Sequence, residues 1–174
     1  MKTILDKQKF KVVIERLAHQ LVENHDDFSE SVIIGIQPRG ILLANRLVSY
    51  LENILAKKIE YGKLDITFYR DDFGKEIHIP NQTNIDFSIE QKKVILIDDV
   101  LFTGRTIRSA MDAILDFGRP KKVELLTLID RRFSRELPIQ PDYVGLTIDS
   151  IFTQKVKVCW HENEENDEVI LLDN

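Results

Sequence analysis

The sequence predicts an α/β fold in which a parallel β-sheet is flanked by helices on both faces. Short apolar segments alternate along the chain with segments whose apolar residues recur at helical spacing. Strands that alternate with helices in this way are typical of parallel sheets. The chain has 174 residues, of which 43% are hydrophobic, so residues 1–174 are expected to form a single domain with one good core.

The first third of the chain predicts two helices around a strand. Phe10, Ile14, Leu17 and Leu21 recur at helical spacing, which indicates an amphipathic helix over roughly residues 6–25. Residues 31–36 are a short apolar strand, residues 37–40 are a turn, and residues 41–55 return to a helix. Residues 58–69 alternate between apolar and polar side chains, which predicts a long strand with a bend at Gly62.

Residues 71–91 differ from the rest because they are polar and show no sustained period. A loop of this length is uncommon inside a compact domain and often covers an active site. The segment is therefore predicted to be a flexible loop over a site, and an exposed hairpin remains an equal alternative.

The second half of the chain predicts strands at residues 94–97, 123–129, 143–146 and 155–160. Residues 106–117 form a helix that Gly118 and Pro120 end. The single cysteine, Cys159, excludes an internal disulfide and lies in an alternating apolar run, so it is interpreted as a packed strand thiol.

Charge is distributed unevenly. The net charge is −5, but six of the 29 acidic residues lie within residues 161–174, where no Lys or Arg occurs. This acidic C-terminal tail is predicted to be a solvated end, although residues 169–172 could add an edge strand. Residues 1–160 are about neutral, so a basic patch on one face remains open. No segment resembles a leader or a membrane span, and a cytoplasmic protein without membrane contact is expected.

The segment VILIDDVLFTGRT, residues 94–106, carries the chemistry. Asp98 and Asp99 end a strand, and successive strand side chains point to opposite faces, so the two carboxylates are expected to diverge. Such acceptors suit the two hydroxyls of a ribose, and both carboxylates are candidate contacts for Mg²⁺, directly or through water. The tetrad that follows, residues 103–106, opens a helix whose backbone N–H groups favour a phosphate. Together these features describe a ribose 5-phosphate site, and no P-loop or G-x-G-x-x-G motif is present.

This segment resembles the ribose-phosphate signature of the type I phosphoribosyltransferases. Many members have glycine where this chain has Arg105. The form of the motif with arginine resembles that of the bifunctional pyr operon regulators, a subgroup whose members are also uracil phosphoribosyltransferases. The runs at residues 64–72, 108–113, 118–120, 135–139 and 142–145 look like the same subgroup. The likeness covers most of residues 10–148.

The resemblance implies a transferase that converts uracil and 5-phosphoribosyl 1-pyrophosphate (PRPP) to UMP and pyrophosphate, with Mg²⁺ as cofactor. It implies a parallel sheet with a small hood at about residues 130–150, and a homodimer or a dimer of dimers. Arg39 on the turn before Gly40 would be the main partner of pyrophosphate, and Arg70 would add a second charge. Asp98 and Asp99 would hold the ribose hydroxyls and could touch the metal. The implied substrate-binding segment continues through Val100, Leu101, Phe102, Thr103, Gly104, Arg105 and Thr106.

The chain also departs from the subgroup. Pro38 stands where a Thr is usual, which removes a backbone donor from the turn. The hood is one residue longer, so another nucleobase remains an alternative substrate. Phe133 within it is interpreted as a core anchor, with a lid aromatic as the alternative. Ser134 and Gln140 replace a His and an Arg of the subgroup's basic surface, while Arg16, His19 and Arg135 look retained. RNA binding is the remaining alternative, as a pyr mRNA attenuation protein with secondary or no catalysis.

Overall fold

The computed structural model describes residues 1–71 and 80–173. The strands are β1 (Lys2–Leu5), β2 (Ser31–Ile36), β3 (Tyr61–Leu64), β4 (Lys93–Leu101), β5 (Lys122–Arg131), β6 (Tyr143–Ile148), β7 (Lys155–Cys159) and β8 (Glu168–Leu172). The helices are α1 (Lys7–His25), α2 (Gly40–Leu55) and α3 (Arg105–Ile114), and short 3-10 turns cover Thr67–Tyr69 and Leu115–Phe117.

The main sheet confirms the predicted fold class. Its five strands lie in the order β3-β2-β4-β5-β6, and every neighbouring pair is parallel. β2 and β4 lie in its centre, and their apolar runs are buried on both faces, as expected for a sheet covered by helices.

Alternate side chains of the sheet pack into two cores. On one face, Ile95 and Ile97 of β4 belong to the core formed with α1 and α2. On the other face, Val94 and Leu96 pack in the core that includes α3. The same alternation predicts opposite directions for Asp98 and Asp99. It is broken just after them, because Val100 packs against the core with α1 and α2 while Leu101 belongs to the core that includes α3.

A second, smaller sheet was not predicted. β1, β8 and β7 form an antiparallel sheet in that order, so the two ends of the described chain pair with each other. The prediction of a solvated end was wrong for residues 168–172, and the alternative of an edge strand was only partly right, because β8 is the central strand of this sheet. Cys159 is buried in β7, as predicted.

The acidic segment before β8 is held to the body by one arginine. Arg46 of α2 donates to Glu162 and to Asp167, both at 2.7 Å. Its guanidinium also lies over the Trp160 ring, 4.9 Å from the ring centroid. The negative charge of this segment is therefore partly matched, and the segment packs on α2.

Two predicted regions come out differently. The extended segment at 58–69 is shorter than predicted, since β3 ends at Leu64 and a 3-10 turn follows. Within the predicted loop at 71–91, residues 72–79 lie outside the described residues. Asn84 beyond them exchanges two backbone hydrogen bonds with Lys63, both 2.8 Å, and Ile89 is fully buried. The role of this loop stays a prediction.

Residues 130–150, the predicted hood, comprise the end of β5, a connection and β6. Arg135 in the connection donates to the carbonyl oxygens of Phe102, at 2.8 Å, and Ile139, at 2.9 Å, which holds the connection against the end of β4. The hood and the single-domain organisation stay predictions. Among the described residues, no helix is long and apolar enough to cross a membrane.

Candidate active site

A cavity of about 250 Å³ lies where β4 ends and α3 begins. Nine of the residues predicted for the substrate site line it, and they are Arg70, Asp98, Val100, Leu101, Phe102, Thr103, Gly104, Arg105 and Thr106. Ile107 and Glu136 complete the lining. The cavity lies at the carboxyl ends of the parallel strands, where α/β sheets bind ligands, and the substrate role of its lining residues stays a prediction.

The two adjacent carboxylates point in different directions, as predicted. Asp98 lines the cavity, on the face of β4 that carries Val94 and Leu96. Asp99 faces the turn before α2, where its Oδ2 accepts a hydrogen bond of 2.7 Å from Nε of Arg39. The pair therefore offers one acidic group to the cavity and one to the turn.

The pKa of the Asp98 carboxyl is strongly raised by its surroundings. Burial raises the pKa of its carboxyl well above the ordinary value of 3.8, and the neighbouring charge of Asp99 raises it further. The backbone N–H of Asp99, 2.9 Å from Asp98 Oδ1, and the charges of Arg39 and Arg70 act in the opposite direction. A buried carboxyl with this balance is suited to a ligand that brings hydroxyl donors or a cation.

The predicted phosphate loop lies at the start of α3. Gly104 precedes the helix with a φ of 93°, a left-handed conformation that favours glycine. The carbonyl oxygen of Thr103 accepts hydrogen bonds from the backbone N–H groups of Glu136, at 3.0 Å, and Leu137, at 3.1 Å. The loop is thus held from behind, and the start of α3 lies in the cavity lining. The backbone N–H of Arg105 donates to the hydroxyl oxygen of Thr103, at 3.4 Å.

Arg105 has acidic partners that the sequence did not indicate. Its Nε lies 2.6 Å from Glu136 Oε2, and a terminal nitrogen lies 2.9 Å from Asp71 Oδ2. An anion bound at the loop would therefore compete with these carboxylates for Arg105. Glu136 belongs to one of the runs that resemble the subgroup, but no local pattern gave it a role.

The turn at residues 37–40 lies beside the cavity and not in its lining. The Gln37–Pro38 peptide is cis. Arg39 reaches back to Asp99, and one of its terminal nitrogens donates to the carbonyl oxygen of Val158 in β7, at 2.6 Å. A Cβ on Gly40 would lie only 2.3 Å from the carbonyl oxygen of Ile97, so glycine allows α2 to begin directly against β4.

An aromatic pair extends from the cavity toward the β6–β7 connection. The Phe102 ring lies 5.1 Å from the Phe152 ring, and the guanidinium of Arg131 lies 4.0 Å from the Phe102 centroid. Arg131 also donates to the carbonyl oxygens of Ile151 and Gln154, which fixes the connection that carries Phe152. Sequence analysis missed Arg131 and Phe152, because an isolated Phe in a polar connection carries no periodic signal.

One aromatic prediction in the hood was wrong. Phe133 is 71% exposed and therefore not a core anchor. Its ring lies beneath the guanidinium of Arg132, 5.0 Å from it, and Arg132 is paired with Asp149. Phe133 lies in the exposed turn that follows β5, so the apolar character of its side chain does not indicate burial there.

Comparison with known proteins gives a consistent picture. The family described as "Phosphoribosyl transferase domain" matches residues 1–163. "Bifunctional protein PyrR" of Desulfosudis oleivorans is 46% identical over 170 residues, which are 97% of this chain and 94% of that protein. The protein of the same name from Bacillus subtilis is 41% identical over 175 residues, or 98% of this chain and 96% of the relative.

Solved structures of low sequence identity share the fold. A hypoxanthine phosphoribosyltransferase of Trypanosoma cruzi superposes with a TM-score of 0.76 at 16% identity, covering 99% of this chain and 97% of that one. A hypoxanthine-guanine phosphoribosyltransferase of Bacillus anthracis gives a TM-score of 0.72 at 19% identity, covering 97% and 96%.

Proposed function

Because the chain belongs to the phosphoribosyl transferase family and, within it, to the bifunctional PyrR proteins, we propose that it is a uracil phosphoribosyltransferase that converts uracil and PRPP to UMP and pyrophosphate. The observation that carries the proposal is the cavity itself. It combines the buried carboxyl of Asp98 with the glycine-containing loop at the start of α3. A sugar hydroxyl acceptor beside a phosphate-binding helix terminus is what a ribose 5-phosphate needs.

Each part of PRPP has a partner in this arrangement. The 5-phosphate binds the loop at residues 103–106, where the α3 terminus and Arg105 favour an anion. Ribose hydroxyls donate to the acidic pair. Pyrophosphate lies toward Arg39, whose side chain is half exposed, and toward Arg70, which lines the cavity.

The reaction needs positioning and electrostatics more than proton transfer. As pyrophosphate leaves, positive charge develops on the ribose ring, and Asp98 lies in the cavity, where its ionised form would oppose that charge. Arg39 stabilises the negative charge that collects on the leaving group. Holding base and sugar in line then supplies much of the remaining acceleration.

Magnesium fits this site through Asp98. A carboxylate oxygen is a ligand that Mg²⁺ prefers, and Asp98 lies in the cavity with a pKa that a bound cation would lower. Asp99 fits less well as a metal ligand, because Arg39 already holds its Oδ2. When bound, the ion neutralises charge on PRPP and on the departing pyrophosphate.

The base is proposed to stack on Phe102 and Phe152. Phe102 lines the cavity, the Phe152 ring lies against it, and Arg131 fixes the connection that carries Phe152. Any base can stack on an aromatic ring, so this platform, the rings of Phe102 and Phe152, would bind a nucleobase without selecting uracil. Uracil rests on the family relationship, and another nucleobase remains the alternative.

Incubation with PRPP, Mg²⁺ and a panel of bases, with pyrophosphate release as the signal, tests the proposal. Release is expected with uracil. Release with hypoxanthine or another base alone would replace uracil but keep the reaction, and no release with any base would refute both.

The variant Phe152→Ala tests the proposed platform. It is expected to raise the KM for the base about 10-fold and leave the KM for PRPP unchanged, since stacking is worth roughly 1–3 kcal/mol per base. Phe133→Ala is the matched control, because Phe133 is exposed to a similar extent but, unlike Phe152, does not contact the ring of Phe102 in the cavity lining. Equal effects of the two substitutions on the KM for the base would show that the base does not stack on Phe152.

RNA binding is the second proposed function, because the relatives are named bifunctional. The basic residues that look retained differ in what they offer. Arg16 is exposed, and the groups that it donates to are uncharged: the side-chain oxygen of Gln20 and the carbonyl oxygens of Val144 and Gly145. Arg135 is neutralised by Asp130. Binding of a pyrimidine leader RNA should therefore be weak and steeply salt-dependent, and no binding at modest salt would leave only the enzyme.

A further inference from the structure

A row of ion pairs begins in the cavity and continues along α3. Glu136 pairs with Arg105, Arg105 pairs with Asp71, and Asp71 is shared with Arg108. Asp112 ends the row through its contact with Arg108, at 3.4 Å. The acids at the two ends differ in one respect, because the described residues that line the cavity include Glu136 but not Asp112.

Arg105 is the cation of this row that belongs to the predicted phosphate loop. Its Nε lies 2.6 Å from Glu136 Oε2, and one terminal nitrogen lies 2.9 Å from Asp71 Oδ2. Two carboxylates therefore already match its charge. A phosphate bound at residues 103–106 would meet the carboxylate of Glu136 in the same cavity lining, and the two anions would compete for the guanidinium.

Other contacts already hold the segment that carries Glu136. The backbone N–H groups of Glu136 and Leu137 both donate to the carbonyl oxygen of Thr103. A Cβ on Gly104 would lie only 3.3 Å from Cδ1 of Ile139, so the loop and this segment also pack closely. The Glu136 side chain is 40% exposed, and an ion pair so exposed contributes little to stability. The place of this carboxylate beside Arg105 therefore points to a role in binding.

We propose that Glu136 sets the affinity of the site for the 5-phosphate by competing with that phosphate for Arg105. This inference rests on the proposed function and concerns the same site. The competition weakens the binding of every ligand that carries the phosphate, so a phosphorylated product such as UMP leaves more readily. The binding of a nucleoside without a phosphate does not depend on Glu136.

The dissociation constant of UMP, measured by calorimetry for wild type and Glu136→Gln, tests the inference. Glutamine keeps the length of the side chain and removes its charge, so the Kd for UMP should fall about 3- to 10-fold. Uridine lacks the phosphate, and its Kd should change by less than about 2-fold. If Glu136 only anchored its segment to the loop, Glu136→Gln would bind UMP more weakly. A higher or an unchanged Kd for UMP would overturn the inference.

Asp112→Asn is the matched control. It removes one negative charge from the other end of the same row, and the Asp112 side chain is exposed to a similar extent, at 50%. Because Asp112 pairs with Arg108 and lies outside the described cavity lining, the Kd for UMP should stay within about 2-fold of the wild-type value. Equal tightening in Asp112→Asn and Glu136→Gln would show an effect of net charge and would contradict a competition at Arg105.

Arg105→Ala removes the group for which the two anions compete. It should raise the Kd for UMP, and Glu136→Gln added to it should change that Kd by less than about 2-fold. Tightening of the full size in this background would show that Glu136 does not act through Arg105, and the inference would be wrong. Ribose 5-phosphate repeats the cycle without a base, so an error in the assigned base is not mistaken for a failure of the inference. A wild-type protein that binds neither UMP, ribose 5-phosphate nor PRPP would refute the proposed function and the inference with it.

Discussion

Gly40 offers a direct test of how closely the pyrophosphate turn must approach the end of β4. A Cβ added at this position would lie 2.3 Å from the carbonyl oxygen of Ile97 and 3.0 Å from Cα of Asp98. Both atoms are backbone and cannot rotate away. Since real Cβ contacts essentially never fall below 3.0 Å, the start of α2 must move by about 0.7 Å or more, carrying Arg39 away from the acidic pair.

The expected result of Gly40→Ala is a large loss of activity with a moderate loss of stability. A displacement of about 1 Å at reacting groups can cost about 100-fold, so kcat/KM for PRPP should fall roughly 10- to 100-fold. Overpacking of this kind lowers the free energy of unfolding by about 1–3 kcal/mol. Steady-state kinetics and thermal unfolding on the same preparation measure both quantities.

Gly145→Ala is the matched control for this prediction. Its Cβ would lie 2.4 Å from the carbonyl oxygen of Leu128, which is the same kind of clash, but β6 contributes no residue to the cavity lining. It should lose stability and retain its kinetic constants when folded. A folded Gly40→Ala with wild-type kcat/KM, or equal kinetic losses in both variants, would refute the reasoning.

Two pH-dependent predictions concern stability. Burial and Asp99 raise the pKa of Asp98, so the folded state holds its proton more tightly than the unfolded state, and the free energy of unfolding falls as pH rises above 3.8. The melting temperature of Asp98→Asn relative to wild type should therefore increase between pH 5 and pH 8; a constant difference would show that Asp98 titrates normally. His25, which contacts Ser31 and Glu124, behaves in the opposite way, because burial lowers its pKa below 6.5 and the unfolded state takes up the proton first as pH falls. In denaturant titrations, the free energy of unfolding of the wild type should therefore fall as pH is lowered from about 6.5. His25→Gln, though less stable at pH 7.5, should lose less free energy over that range. Equal dependence on pH in the two proteins would argue against a buried neutral His25.

The main sheet could be predicted because its signals are local. Strands such as β4 are continuous apolar runs, and α1 shows helical spacing within its own sequence. The direction of the acidic pair followed from strand geometry alone. Asp98 and residues 100–106 line one cavity because they follow one another closely in the chain, so sequence order and spatial order nearly coincide there.

The remaining features depend on contacts between distant parts of the chain. β1 pairs with β8, so that Lys2 lies opposite Leu171, and no local pattern predicts that pairing. The hydrogen bond from Arg39 to the carbonyl of Val158 depends on the same small sheet, and a backbone acceptor leaves no mark on residue type. Phe133 was misassigned because hydrophobicity predicts burial only on average, and an exposed apolar residue is common.

Pyrophosphate release from PRPP in the presence of Mg²⁺ and uracil tests the central claim most directly. The account predicts release that requires both PRPP and a base, is highest with uracil, and falls by at least 10-fold in Arg39→Ala while the variant remains folded. A folded wild-type protein that releases no pyrophosphate with any base, or an Arg39→Ala variant with unchanged turnover, would contradict it.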